Sequence, residues 1–149
     1  EARGAEVELR IPALIPDDYL PDVHTRLTLY KRISSARDSD ELRELQVEMI
    51  DRFGLLPDPA KYMFAVAELK LRATALGIRK LDLGETGGRV HFIEKPNVDP
   101  MAIIRLIQGQ PKLYKMEGPD KLRMALDLPD APSRVLAAKG ILTALQPAA

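Results

Sequence analysis

The hydrophobic rhythm of this 149-residue chain changes at Gly77, and no single-class fold accommodates both halves. Before Gly77, apolar residues recur at helical spacing. After it they alternate, as they do in strands with one buried face. Asp22 is a capping residue for a helix running to about Ala36, with Val23, Leu27, Tyr30 and Ile33 on its inward face. Asp38 followed by Glu41 is a capping-box pattern that opens a second helix. In that helix Leu42, Leu45, Met49 and Phe53 form the apolar stripe, and Gly54 ends it. The stiff connection from Leu55 to Pro59 leads into a third helix, for which Asp58 is a cap and Pro59 a suitable first residue. Tyr62, Val66, Leu69, Ala73 and Leu76 are expected inward there. Met63, Phe64 and Ala67 lie round the other side, so burial on more than one face is expected.

Beyond Gly77, residues 78–83 and 89–94 read as strands joined by a turn around Thr86-Gly87-Gly88. Asp99 caps a short helix from Pro100 to about Gln108, with Met101, Ile104 and Ile107 as its stripe. A second pair of strands is expected over 112–117 and 121–126, linked by Gly118-Pro119-Asp120. A last helix begins near Ser133 and ends near Gln146, with Val135, Leu136, Leu142 and Leu145 apolar. The order is ααα-ββ-α-ββ-α. Hairpins imply antiparallel pairing, because parallel neighbours need long crossovers. The expected class is therefore α+β: a helical part over about 22–77, then a ββαββα part over about 78–146 with a small sheet of two hairpins. Residues 1–21 read as an extended arm or linker. Glu6 to Arg10 alternates as a short strand or arm would, and Pro12, Pro16 and Pro21 forbid a continuous helix.

Cysteine is absent, which excludes disulfide frameworks and thiolate metal sites and fits a cytoplasmic location. No apolar run is long enough to span a bilayer, so no membrane partner is expected. The chain lacks an initiator methionine and is expected to be part of something longer. Its 22 basic and 22 acidic residues balance overall, yet residues 1–60 carry a net charge of −5 and the remainder +5. Such polarity marks either a partner surface or simple neutralisation within one fold.

A search for chemistry is mostly negative, and no catalytic residue, cofactor site or metal site is expected. There is no phosphate-binding loop of the Walker type and no dinucleotide fingerprint. Gly87-Gly88 lies between strands rather than before a helix, so a hairpin turn is the expected role. His24 and His91 sit in different elements without metal-ligand spacing, and His91 alternates with Val90 and Phe92 toward an outer strand face. No serine occupies a nucleophile elbow, and Ser34-Ser35 lies near a helix end. Asp17-Asp18 reads as a polar turn. Arg79, Lys80, Arg89, Lys112, Lys115, Lys121 and Arg123 cluster in the strand region, where a basic sheet would contact nucleic-acid phosphates. Phe92 and Tyr114 do not supply a base-stacking pattern, and alternating cations are also ordinary on solvated sheet faces.

The most suggestive surface is on the second helix. Glu41, Glu44 and Glu48 fall within one narrow sector, flanked by Asp51 and Arg52, with the apolar stripe well round the other side. Glu48 and Arg52 are four apart and able to pair. The surface reads either as a solvated helix face or as a charged docking face for a basic partner.

Four segments resemble the C-terminal domain of bacterial transcription-repair coupling factors: PDDYLPDVHTRLTLYKRI at 16–33, VEMIDRFGLLPDP at 47–59, LGIRKL at 76–81 and LIQGQP at 106–111. The likeness runs from about Glu6 to Leu145. The resemblance implies a large DNA translocase acting on stalled RNA polymerase, with its ATPase motifs outside this chain, so the chain itself is not expected to be an enzyme. It further implies a regulatory role, in which this domain folds back on an N-terminal UvrB-like module and hides the surface that recruits UvrA. On that likeness Glu48, Asp51 and Arg52 are the expected clamp residues, with Glu44 and Glu41 beside them. The alternative is an accessory DNA-contacting domain that uses the basic strands.

Overall fold

A computed structural model describes residues 4–148. The elements are β1 (Glu6–Glu8), α1 (Val23–Ser34), α2 (Ser39–Phe53), α3 (Asp58–Ala75), β2 (Ile78–Gly84), β3 (Gly87–Phe92), α4 (Pro100–Gly109), β4 (Tyr114–Glu117), β5 (Lys121–Ala125) and α5 (Ala131–Leu145). The α+β class and the two hairpins are as expected, and a fifth strand, β1, adds to them. The chain forms two compact units. One holds residues 11–71; the other joins the residues up to Arg10 to those from Arg72 onward.

The 11–71 unit is built from α1, α2 and α3 as far as Leu71. Asp22 accepts a hydrogen bond from the Thr25 N–H at 3.1 Å and so starts α1. Asp38 does the same for α2, accepting from the Glu41 N–H at 2.9 Å. The capping box is only half formed, because the Glu41 carboxylate accepts instead from the Arg37 backbone N–H at 2.8 Å. Leu42, Leu45 and Met49 are buried as expected, with Leu29, Ile33, Leu56, Ala60, Met63 and Phe64 in the same core. Ile15 and Leu20, from the proline-rich segment, also belong to it. That segment is tied in by the Ile15 N–H donating to the Tyr30 hydroxyl at 2.7 Å and by the Arg26 guanidinium donating to the Leu20 carbonyl at 2.6 Å. Asp17 and Asp18 lie exposed in a turn.

The inward face of α1 matches expectation only in part. Ile33 is buried and Tyr30 half-buried as expected, but Val23 and Leu27 are 57% and 61% exposed, and Leu29, outside the expected face, is buried. The apolar residues of α1, Val23, Leu27, Tyr30, Ile33 and Leu29, span about 160° of the helix at 3.6 residues per turn, and packing against α2 and α3 selects the Leu29–Ile33 edge of that arc. α3 departs in another way. Leu69, Ala73 and Leu76 are buried as expected, but Tyr62 and Val66 are only half-buried while Met63 and Phe64 are fully so. The helix passes from one unit to the other after Leu71, so no single stripe describes it.

The second unit is one five-stranded mixed sheet in the order β1-β2-β3-β5-β4. The β2–β3, β3–β5 and β5–β4 pairs are antiparallel. β1 pairs with β2 in parallel, Val7 opposite Leu81. Leu81, Val90, Leu122 and Met116 form one cross-sheet row, and Leu83, Gly88, Met124 and Tyr114 the next. Leu81, Leu83, Val90, Leu122 and Met124 are buried, with α5 packed on β2 and α4 packed on β4 and α5. α5 contributes Val135, Ala138, Ile141, Leu142 and Leu145 to this core, whereas its apolar Leu136 is 72% exposed. Its N-cap is Asp130, and Ser133 completes a capping box three residues later. In α4 only Ala102 is fully buried; Met101 and Ile104, expected on the inner stripe, are 51% and 41% exposed.

Gly87-Gly88 is not the hairpin turn. Glu85 and Thr86 form the two-residue loop, and both glycines are paired within β3. Gly87 has φ 106°, and a Cβ there would lie 2.0 Å from the Met124 carbonyl oxygen. A Cβ on Gly88 would lie 1.8 Å from the Asp82 carbonyl oxygen. Close backbone approach, rather than turn geometry alone, requires the pair.

Candidate protein-docking site

α2 presents its polar sector to solvent because its other side is committed to the core. Leu42, Leu45 and Met49 bury that side, and Gly54 closes the helix with its N–H donating to the Ile50 carbonyl at 2.9 Å. Glu41, Glu44, Glu48, Asp51 and Arg52 therefore share the outward side. Their electrostatic states are not equivalent.

Glu48 is the most engaged. It accepts a two-pronged interaction from Arg32 of α1, Nη1 to Oε2 at 2.7 Å and Nη2 to Oε1 at 3.0 Å. It also accepts from Arg52 Nη1 at 3.1 Å, the i,i+4 pair expected from the spacing. The Arg32 hydrogen bonds, helped by Arg52, hold the Glu48 carboxyl down to about 2. Arg32 is in turn raised by Glu48. The Arg52 guanidinium also stacks over the Phe53 ring, 4.8 Å from its centroid. Phe53 meets Tyr19 edge-on, and the Tyr19 hydroxyl donates to the Gly54 carbonyl at 2.7 Å. The end of α2 is thus pinned by both ionic and aromatic contacts.

Glu41 is paired with Arg37 Nε at 3.1 Å. Glu44 and Asp51 have no hydrogen-bond or ion-pair partner among the described residues. The face therefore offers two uncommitted carboxylates beside a neutralised centre. Val47 on the same helix is 54% exposed and gives the face an apolar element. A cleft of about 390 Å³ is lined by Arg32, Glu41, Glu44, Leu45 and Glu48. Chemically, such a surface suits guanidinium or ammonium groups carried on apolar stems, which pair with carboxylates while their stems cover apolar surface.

Arg32 is the residue that sequence reasoning missed. It lies sixteen positions before Glu48, and nothing local links them. With Val23, Leu27, Tyr30 and Ile33 as the inner side of α1, Arg32 faces away from the other helices. With the buried side running from Ile33 to Leu29, it flanks the packed side and reaches α2.

The other candidates lie elsewhere. His24 is on the exposed side of α1. His91 is half-buried on the sheet face opposite Val90, its pKa lowered by burial and then by Lys121, Arg79 and Lys80. On that face Arg89, Arg123 and Lys115 stand side by side on β3, β5 and β4. Arg89 pairs with Glu117 at 2.6 Å and Arg79 with Asp120 at 3.5 Å. Lys112 lies outside the strand expected to hold it, in the turn before β4. Among the described residues no helix is long and apolar enough to cross a membrane.

Comparison with known proteins places these features in a family context. The family model described as "TRCF domain" matches residues 9–103. The chain is 50% identical over 134 residues to the transcription-repair-coupling factor of Escherichia coli strain K12, covering 90% of this chain and 12% of that protein. It is 48% identical over 126 residues to the factor of Haemophilus influenzae, covering 85% of this chain and 11% of that protein. The chain thus spans about an eighth of the length of these relatives. In fold it is similar to a crystal structure of the C-terminal domain of transcription-repair coupling factor. The TM-score is 0.71 at 21% identity, over 94% of this chain and 92% of that one.

Proposed function

Because the chain belongs to the TRCF domain family of the transcription-repair-coupling factors, we propose that it is the regulatory C-terminal domain of such a factor. In this reading it docks on the UvrB-like N-terminal module of the same protein and masks the surface that recruits UvrA. The parent protein is a cytoplasmic DNA translocase that engages RNA polymerase and DNA, with its motor elsewhere. The domain itself contributes a releasable contact rather than catalysis.

The observation that carries this reading is the outward side of α2, where Glu44 and Asp51 are uncommitted and Glu48 and Arg52 are held in fixed positions. Free carboxylates beside ordered ones suit a basic partner surface through bidentate, charge-assisted bonds. Such pairs at a partly solvated face are specific yet individually weak, as a switch requires. Calorimetric titration of the chain with the isolated UvrB-like module tests the assignment. Binding is expected for the wild type and is expected to be lost in the folded Glu48→Ala/Asp51→Ala/Arg52→Ala variant. Undiminished binding by that variant removes these residues from the interface.

A second reading draws on the open sheet face. Arg89, Arg123 and Lys115 are directly opposed on neighbouring strands. Glu117 sits 2.6 Å from Arg89 and 4.0 Å from Arg123 and offsets part of the repulsion among these like charges. A polyanion such as the DNA backbone would offset the remainder, at Lys115 above all. Salt-sensitive affinity for duplex DNA, abolished by charge reversal at Lys112, Lys115 and Arg123, supports this reading; its absence removes it.

A further inference from the structure

Resting on the docking reading above, we infer that Arg32 is an internal competitor for Glu48, a built-in cation that weakens docking and keeps it reversible. The two-pronged Arg32–Glu48 contact is the geometry that a partner's arginine would need. An ionised carboxylate offers about four acceptor positions. Arg32 takes two at Glu48 and Arg52 a third. A partner guanidinium seeking both oxygens must displace Arg32 first. Arg32 also lines the cleft whose other walls are Glu41, Glu44 and Glu48 over Leu45, so its positive charge repels any cation entering there.

Two effects then favour tighter docking when Arg32 is removed: both Glu48 oxygens are released, and a like charge is lost. One effect opposes it, the conformational freedom Glu48 regains. Arg52 limits that freedom, because it still holds Glu48 Oε2 at 3.1 Å. The balance therefore lies with tighter binding. The partner implied is one that presents an arginine or lysine to the α1–α2 cleft. Arg32 sets how strongly that side chain is held.

The test is calorimetric titration of the isolated UvrB-like module with wild type, Arg32→Ala, Glu48→Ala and Arg32→Ala/Glu48→Ala, after circular dichroism confirms that each variant folds. Arg32→Ala is expected to bind about threefold to fivefold more tightly, the upper part of what a single exposed charge pair contributes. The gain is expected to vanish when Glu48 is already alanine, an interdependence that a purely structural role for Arg32 does not produce. Should Arg32→Ala fail to fold, Arg32→Lys carries the test. It keeps the charge but loses the fork, and about twofold tighter binding is expected. Equal or weaker binding by the folded Arg32 variant, with the wild type still bound, overturns the inference while leaving the docking reading intact. No binding by either protein overturns the docking reading and this inference with it.

Discussion

Removing Arg32 should move the titration of Glu48, and this holds without any partner present. In the wild type three hydrogen bonds hold the Glu48 carboxylate, two from Arg32 and one from Arg52, and its pKa lies at about 2. Arg32→Ala removes two of the three and the largest cause of the depression, so the carboxyl should titrate closer to the ordinary glutamate value. A depressed carboxyl stabilises the fold above its unfolded pKa, and that contribution is lost as pH falls through the folded value. The Arg32–Glu48 contribution is therefore complete at pH 7 and fades between about pH 5 and pH 2. The Glu48 side chain is 36% exposed, which screens the contact. Its worth is that of a good exposed ion-pair network, about 1 kcal/mol, rather than the larger figure the depression alone implies. Carbon-detected NMR of the Glu48 carboxyl across pH 1.5–7 reads the shift, and urea unfolding at pH 7 and pH 2.5 reads the energy. A wild-type Glu48 titrating near 4.5, or a wild-type advantage over Arg32→Ala that persists undiminished at pH 2.5, refutes the reasoning.

Three further outcomes follow from the geometry. Gly88→Ala puts a Cβ 1.8 Å from the Asp82 carbonyl oxygen, so strands β2 and β3 must separate. A loss of about 3 kcal/mol is expected, read as a fall in Tm of roughly 6–12 °C by differential scanning calorimetry. Asp130→Ala removes the acceptor for the Ser133 N–H and the capping box of α5, so the urea midpoint should fall, whereas Asp130→Asn should recover most of the loss. Arg89→Ala should let Glu117, now held below the usual carboxylate range chiefly by Arg89, titrate higher in an NMR pH series, and an unmoved Glu117 contradicts that pairing.

Much of this architecture is legible where the signals are local. Asp22, Asp38 and Asp99 announce their helices because a cap acts on backbone groups two or three residues away. Alternation at Leu122 and Met124, and the glycine and prolines between segments, likewise locate the strands and breaks. What fails depends on contacts distant in sequence. β1 pairs with a strand more than seventy residues away, Glu6 opposite Lys80, and its three residues carry no mark of parallel pairing. The inner side of α1 is legible only in part, because tertiary packing buries the Ile33–Leu29 edge of its apolar arc and leaves Val23 and Leu27 out, and that of α4 is not legible, because apolar residues surround the helix. Arg32 illustrates both points: its partner is on another helix, and its orientation depends on which side of α1 is buried. The outward sector of α2 was legible because strict i, i+3, i+7 burial at Leu42, Leu45 and Met49 leaves only one side for the charges.

The central claim, that this domain masks a recruiting surface, is tested most directly by competition. UvrA is bound to a fluorescently labelled UvrB-like module, and the wild-type chain or the folded Glu48→Ala/Asp51→Ala/Arg52→Ala variant is titrated in. The account predicts that the wild type displaces UvrA in a concentration-dependent manner and that the triple variant does not. Formation of a ternary complex, with UvrA retained while the wild-type chain binds the module, contradicts it.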